Sequence, residues 1–270
     1  MKSILLHAHD EPRFDARLQA ALDLTRAFDG HLTLFHAVPM TMVVPTDPWG
    51  VTMAEVTKSA KEHGDEFRSR ISERLEGEDV RWDWISDIGV AGSQMLHHAA
   101  LSDLAIIGAD DPGEAEGASQ LAGILALQCR TPIFVTPDAA IGMDPESPAI
   151  VCWNGSLEAS RAVRAATPLL ALASSVTLVQ VTEKRTRKAD ILPALSGARY
   201  LDRHGISSEI LEIEREGGKV STALKNTAKS RGAGLVVMGA YGVPRVLETV
   251  FGGVTREMLV APEVPVLLTH

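Results

Sequence analysis

Short runs of consecutive apolar residues alternate along this chain with longer stretches in which apolar positions recur every three or four residues. Ser3 to Leu6 is the first such run and predicts a strand, ended by His7-Ala8-His9-Asp10. From Arg13 to Phe28, the positions Phe14, Leu18, Ala21, Leu22 and Thr25 have the spacing of one helix face, with Gly30 expected to close the helix. Leu32 to Val38 predict a second buried strand, followed by a Pro-rich stretch, Pro39 to Pro48, and a long polar helix over Met53 to Leu75. Val80 to Ile85 alternate as a strand, and Val90 to Leu101 read as a helix. Leu104 to Ile107 form a fully apolar run stopped by Gly108, and Ile133 to Val135 form another after Pro132. Strands that are apolar on both faces and alternate with helices indicate a parallel sheet covered on two sides.

The same order then begins again. Pro137 to Pro148 is rich in Pro, Gly and Asp and reads as a linker. Strands follow at Ala149 to Cys152, Val176 to Val181, Ser208 to Ile213, Leu235 to Met238 and Val266 to Leu268; helices at Glu158 to Leu172, Ile191 to Arg203, Val220 to Ser230 and Thr255 to Val260. Three fragments repeat in order: Leu32-Thr-Leu-Phe with Val176-Thr-Leu-Val, Asp103-Leu-Ala-Ile-Ile-Gly-Ala with Gly234-Leu-Val-Val-Met-Gly-Ala, and Thr131-Pro-Ile-Phe-Val-Thr with Val264-Pro-Val-Leu-Leu-Thr. One such pair of apolar strands arises by chance; three in the same order indicate duplication. The expected fold class is α/β, with two tandem open-sheet domains at residues 1–138 and 148–270, each a mostly parallel five-stranded sheet with helices on both faces.

The stretch richest in candidate chemistry runs from Met238 to Arg256. Its skeleton is Gly239, two residues, Gly242, nine residues, Gly252, then Gly253, Val254 and Thr255. In an open parallel sheet ligands bind beyond the carboxyl ends of the strands, and this loop follows such an end. Gly239 and Gly242 allow close backbone approach or positive φ. Gly252 to Thr255 would aim free backbone N–H groups and the positive end of a helix at an anion, with Arg245 and Arg256 adding positive charge. Glycines that only shape turns beside a packed strand are the competing reading. Neither Gly-x4-Gly-Lys-Ser/Thr nor Gly-x-Gly-x2-Gly occurs.

With this loop the sequence resembles the universal stress protein family, whose members carry Gly-x2-Gly-x9-Gly-Ser/Thr after the fourth strand. Gly239, Gly242 and Gly252 match the spacing; Gly253 stands where the family usually has Ser or Thr, while Thr255 keeps the hydroxyl two positions on. The order of elements fits the family in both halves, which implies a Rossmann-like fold of the adenine nucleotide alpha hydrolase type. The resemblance implies an adenine nucleotide, ATP with Mg²⁺, held by the loop through its phosphates and ribose. It places adenine against the end of the first strand and the backbone after the second. Those positions are Asn154, where the family more usually has Asp, and the vicinity of Val181. It also implies pairing of the halves through their last strands, Thr131 to Thr136 and Val264 to Thr269, and further association of two chains as a homodimer. Pro132 and Pro265 agree with strands at the edge of each half, since proline cannot donate within a ladder.

The first half departs from this pattern. After Gly108 come Asp110, Asp111, Glu114 and Glu116, four carboxylates within seven residues, which would repel a polyphosphate. They read as a solvated loop in preference to a divalent-cation site, so nucleotide is expected in the second half alone. His7 and His9, near Asp10, read as a polar strand end in preference to metal ligands. His97 and His98 are consecutive on a helix and cannot share a face. Cys129 and Cys152 are expected to pack as small hydrophobes, and the basic run Lys184 to Lys188 to be a solvated loop.

Composition narrows the function further. The 270 residues carry 26 Lys+Arg against 35 Asp+Glu, a net charge of −9, which argues against a general nucleic-acid binder. Hydrophobic residues at 45% suffice for a large core, and no apolar stretch approaches the ~18 to 20 residues of a membrane span. A cytoplasmic location is expected. No positioned nucleophile, general base or metal cluster stands out, so the expectation is a stress-type regulatory protein that binds nucleotide and is not an enzyme. A nucleotide-free scaffold acting through protein partners is the alternative, and an ATP-dependent ligase would need a second substrate site that the sequence does not offer.

Overall fold

A computed structural model describes residues 1–38, 51–111, 119–137, 142–182, 192–214, 218–240 and 253–270, with the backbone alone for residues 51–57. The first half runs β1 (Ser3–His7), α1 (Phe14–Ala27), β2 (His31–Val38), α2 (Val51–Leu75), β3 (Arg81–Ile88), α3 (Ala91–His98), β4 (Leu104–Gly108), α4 (Gln120–Gln128) and β5 (Ile133–Thr136). A 3-10 turn, Ala99–Leu101, extends α3. The second half repeats the order as β6 (Ala149–Cys152), α5 (Leu157–Leu170), β7 (Val176–Thr182), α6 (Ala194–Asp202), β8 (Ser208–Glu214), α7 (Val220–Ser230), β9 (Leu235–Gly239), α8 (Gly253–Leu259) and β10 (Val266–Thr269).

All ten strands form one sheet in the order β3-β2-β1-β4-β5-β10-β9-β6-β7-β8. Every neighbouring pair is parallel except β5 with β10, which are antiparallel with Phe134 opposite Leu267. The last strands of the halves therefore join, as the family resemblance implies. Each face of the sheet carries one apolar core that crosses the join. Phe134, Leu267 and the inward faces of α1, α2, α5 and α6 build one; Val135, Val266 and those of α3, α4, α7 and α8 build the other. The outermost strands β3 and β8 alternate half-buried and exposed residues, with charged groups such as Arg81, Asp83, Glu209 and Glu212 outward, which discourages further strand addition.

The duplication is sharper in the helices than in the strand fragments. Buried positions 14, 17, 18, 21, 24 and 25 of α1 recur 145 residues later as 159, 162, 163, 166, 169 and 170 of α5. The same offset relates β1 to β6, because Ile4 pairs with Leu104 as Ala149 pairs with Leu235. His9 thus corresponds to Asn154, and Arg17 to Ala162.

Two local features differ from the expectation. Gly30 does not supply the left-handed residue that ends α1; Asp29 does, at φ 44°. Gly30 instead keeps a close approach, since a Cβ there would lie 3.1 Å from the Lys2 carbonyl oxygen at the base of β1. The helix α4 has apolar residues at nearly every position, Gln120-Leu-Ala-Gly-Ile-Leu-Ala-Leu-Gln, so it lacks the amphipathic stripe by which the other helices are delimited.

Phe134 is fully buried at the join of the two halves. Phe134→Ala is expected to cost about 3–5 kcal/mol in urea unfolding and to destabilise both halves together, because the cavity opens in a core they share. Two separated transitions, with only the first half weakened, would be the contrary result.

Candidate functional site

The chain reverses its direction of winding at β6. Strands β7 and β8 lie on one side of it and β9 and β10 on the other, so a crevice is expected beyond the carboxyl ends of β6 and β9. Register brings three of the sequence-identified residues to neighbouring strand ends there. Cys152 of β6 pairs with both Val179 of β7 and Met238 of β9, so Asn154 and Val181 fall two residues beyond that level and Gly239 one residue beyond it. The fourth strand leads on to α8, which begins with Gly253, Val254 and Thr255. Gly242, Gly252, Arg245 and the basic run Lys184 to Lys188 lie outside the described residues.

Asn154 is exposed and already has a structural duty. Its Oδ1 accepts a hydrogen bond from the Ser156 backbone N–H at 3.1 Å, and Gly155 takes φ 73° to close the turn. Ser156 then caps α5, its Oγ accepting from the Ala159 N–H at 3.1 Å. The turn leaves the Asn154 amide group as the part of the side chain available to a ligand. Val181 is half-buried at the end of β7, so its main chain is what it can offer a ligand.

Gly239 has a packing reason that the spacing does not reveal. A Cβ at this position would lie 2.5 Å from the Glu158 carbonyl carbon and 2.6 Å from the Ala159 nitrogen, so α5 can start against β9 only over a glycine. Gly253 is the opposite case, with nothing described within 4 Å of an added Cβ. Of the residues opening α8, Thr255 is 5% exposed and Val254 half-buried. Arg256 is exposed in the same turn. The neighbouring Cys152 thiol is pushed up to about 12 by burial, which keeps it protonated and unreactive.

At the corresponding place in the first half the space is filled by the protein itself. Arg17, only 4% exposed, lies over Gly108, where even a Cβ would strike its guanidinium. It pairs with Glu11 and donates to the His7 carbonyl oxygen at 3.1 Å. The second half has Ala162 in its place. The acidic loop is likewise engaged. Asp110 pairs with Arg13 at 2.6 Å, and the Asp111 carboxylate accepts hydrogen bonds from the Gln120 and Leu121 N–H groups and the Ser119 hydroxyl at the start of α4. Asp111 thus supplies in cis the negative charge that a helix N-terminus favours. Glu114 and Glu116 lie outside the described residues, and among the described residues no group of three His, Cys, Asp or Glu is arranged to hold a metal ion.

Arg17 stands outside the apolar pattern of α1 because it is a cation on the buried face. The signal was present: position 17 falls on the buried stripe between Phe14 and Leu18 and holds a cation. His7 is fully buried rather than at a polar strand end, and burial, with Arg17 next, lowers its pKa to about 3. His9 is lowered by partial burial, opposed by Glu11 and assisted by His36 and Arg17, and its Nδ1 is buried without a hydrogen-bond partner. Cys129 packs as a small hydrophobe.

The fold and the site together define a tandem α/β protein whose first switch point is filled by Arg17, a position that Ala162 takes in the second. Residues 148–270 match the model of the universal stress protein family. The whole chain has the fold of a universal stress protein from Archaeoglobus fulgidus, with a TM-score of 0.78, 14% identity, and 99% of this chain and 96% of that one covered. A protein of unknown function from Pseudomonas aeruginosa PAO1 is similar over 100% of this chain and 92% of its own, at 18% identity and a TM-score of 0.59. A sequence search of curated proteins finds no match. Among the described residues no helix is long and apolar enough to cross a membrane.

Gly239→Ala is expected to destabilise the protein by about 1–3 kcal/mol, because backbone must move to admit the methyl group. Gly253→Ala is expected to stay within about 0.5 kcal/mol of the unsubstituted protein. Urea unfolding of the two variants checks this; equal effects would remove the packing role assigned to Gly239.

Proposed function

We propose that this protein is a stress-type regulatory protein whose C-terminal domain, residues 148–270, binds an adenine nucleotide, ATP with Mg²⁺, while the N-terminal domain, residues 1–138, binds none. The observation that carries this reading is that the family match falls on residues 148–270, the half in which Ala162 stands at the position that Arg17 takes in the first. Gly239, Gly242, Gly252, Gly253, Val254 and Thr255 would supply backbone and hydroxyl contacts to phosphate and ribose. The Asn154 amide and the Val181 main chain would face the base. Mg²⁺ would neutralise part of the phosphate charge, and Arg256 is near enough in sequence to α8's start to add to that. The nucleotide acts as a regulatory ligand in this reading, and none of Asn154, Val181 and Gly239 is a nucleophile or general base. Association of two chains as a homodimer and a cytoplasmic location complete the proposal.

A nucleotide-free scaffold acting through protein partners is the second reading. It is favoured by Gly239, whose presence the contact with α5 accounts for without a ligand.

Titration of the purified chain with ATP and Mg²⁺, followed by calorimetry, separates the two. Saturable binding that is lost on Gly252→Val is expected. Absence of binding would favour the scaffold, and binding unchanged by Gly252→Val would remove the loop from the site.

A further inference from the structure

We propose that the outward face of α5 and α6 docks an acidic segment of a protein partner, one that carries a large apolar residue a few positions from its carboxylates. Arg161 and Arg164 are exposed on α5, and Arg199 and Arg203 on α6. The two helices pack side by side over the same face of the sheet. On α5 the buried positions 159, 162, 163 and 166 hold the helix to the sheet, which turns 161 and 164 outward; on α6 positions 194, 197 and 201 do the same for 199 and 203. Among the described residues no carboxylate lies within ion-pair distance of any of these four arginines. By contrast Arg26, Arg74 and Arg231 each pair with a glutamate.

Apolar side chains crowd one end of this face. Leu157 at the start of α5 is 67% exposed, Leu195 in the first turn of α6 50%, and Leu192 just before it 42%. The starts of the two helices are tied together. The Leu192 N–H donates to the Gly155 carbonyl oxygen at 3.1 Å, and Trp153 Nε1 donates to the Leu192 carbonyl oxygen at 3.0 Å. Leucines therefore mark the end nearest the carboxyl ends of β6 and β7, and arginines run from there along both helices. The fold itself does not call for either group. The 145-residue offset places Pro12, Ala16 and Gln19 of the first half where Leu157, Arg161 and Arg164 stand, and that half forms the same helix without them.

Spacing and charge select the occupant. Arg161 and Arg164 stand one helical turn apart, about 5–6 Å between Cβ atoms, and packed helices lie about 8–10 Å from each other. That span exceeds one small anion and suits carboxylates at alternate positions of an extended segment, about 7 Å apart. Each guanidinium can offer two parallel N–H donors to a carboxylate. From Leu157 to Arg164 the helix rises about 10 Å, the reach of roughly three extended residues, which sets the distance between the apolar residue and the acids. On these two helices Asp202 alone is an exposed carboxylate, with Glu212 and Glu214 beyond α6 on the edge strand β8. Glu158 is half-buried and turned towards β9, its Cβ 2.8 Å from where a Cβ at Gly239 would stand. An anionic bilayer fits less well. A lipid plane meets the whole chain with its net charge of −9, whereas a short segment meets only the charges within a Debye length, about 10 Å in 0.1 M salt. The surface stands whether or not nucleotide occupies the second half.

Fluorescence anisotropy of a fluorescein-labelled peptide, Leu-Phe-Gly-Glu-Ser-Glu-Asp-Glu, titrated with the full chain at about 50 mM and about 300 mM NaCl tests this. Saturable binding is expected at the lower salt and at least tenfold weaker binding at the higher. Arg161→Glu combined with Arg199→Glu is expected to weaken it at least tenfold, and Leu157→Ser combined with Leu195→Ser at least threefold, with circular dichroism unchanged. Lys61→Glu combined with Arg68→Glu makes the same charge change on exposed positions of α2 and is expected to leave binding as it was. The proposal is overturned if the peptide does not bind, or if the two pairs of charge reversals weaken it equally. It is also overturned if the chain ignores the peptide but sediments with vesicles containing phosphatidylglycerol through Arg161 and Arg199.

Discussion

The antiparallel ladder between β5 and β10 is the contact on which the rest of the molecule depends. A five-stranded parallel sheet ends in a strand with unpaired backbone groups, a liability that proteins cover or pair. Here each half uses the other's last strand to solve the same problem, and Pro132 and Pro265 stand just before those strands, outside the ladder. The join also makes each apolar core continuous across the chain, so the stability of one half is coupled to that of the other. Because the join is antiparallel while each half is parallel, the carboxyl ends of the two halves point to opposite ends of the sheet. The two switch points are therefore separate places, each answerable only to its own loops.

That separation gives the halves freedom to diverge, and the divergence is electrostatic. In the second half β6, β9 and α5 meet closely over Gly239, with Ala162 at the helix position that faces inward. In the first half the equivalent position is Arg17. A buried guanidinium is tolerated only with partners, and Glu11 and the His7 carbonyl supply them. Asp111 completes the arrangement by occupying the start of α4. The cationic and anionic groups that a ligand would bring are thus built into the first half. His7 and His9 beside them are disfavoured as cations by burial and by the same arginine.

Most of the fold was legible in the sequence because its signals are strong and local. Buried parallel strands give unbroken apolar runs, α1 and α5 give clear helix faces, and the repeated fragments fix where the second unit begins. The candidate site was legible only as a spacing. Glycine serves close packing and ligand approach alike, so the spacing of Gly239 carries no sign of its contact with Glu158 and Ala159, a contact made across 80 residues of chain. Asn154 could be placed at a strand end but not recognised as the acceptor that closes its own turn. Arg17 and Asp111 were hidden for a related reason, since their roles depend on partners distant in sequence: Gly108 for the first and the start of α4 for the second. The end of α1 was misplaced by one residue, because a glycine beside a helix end is read as its cap even when Asp29 takes the left-handed conformation.

The central claim is that the duplicated halves have divided their roles, with one ligand site retained per chain. The stoichiometry of ATP bound per chain at saturation, measured by equilibrium dialysis and located by photo-crosslinking with an azido-substituted ATP, addresses it directly. The account predicts one nucleotide per chain, with label confined to peptides from residues 148–270. Two nucleotides per chain, or label in peptides from the first half, would contradict it.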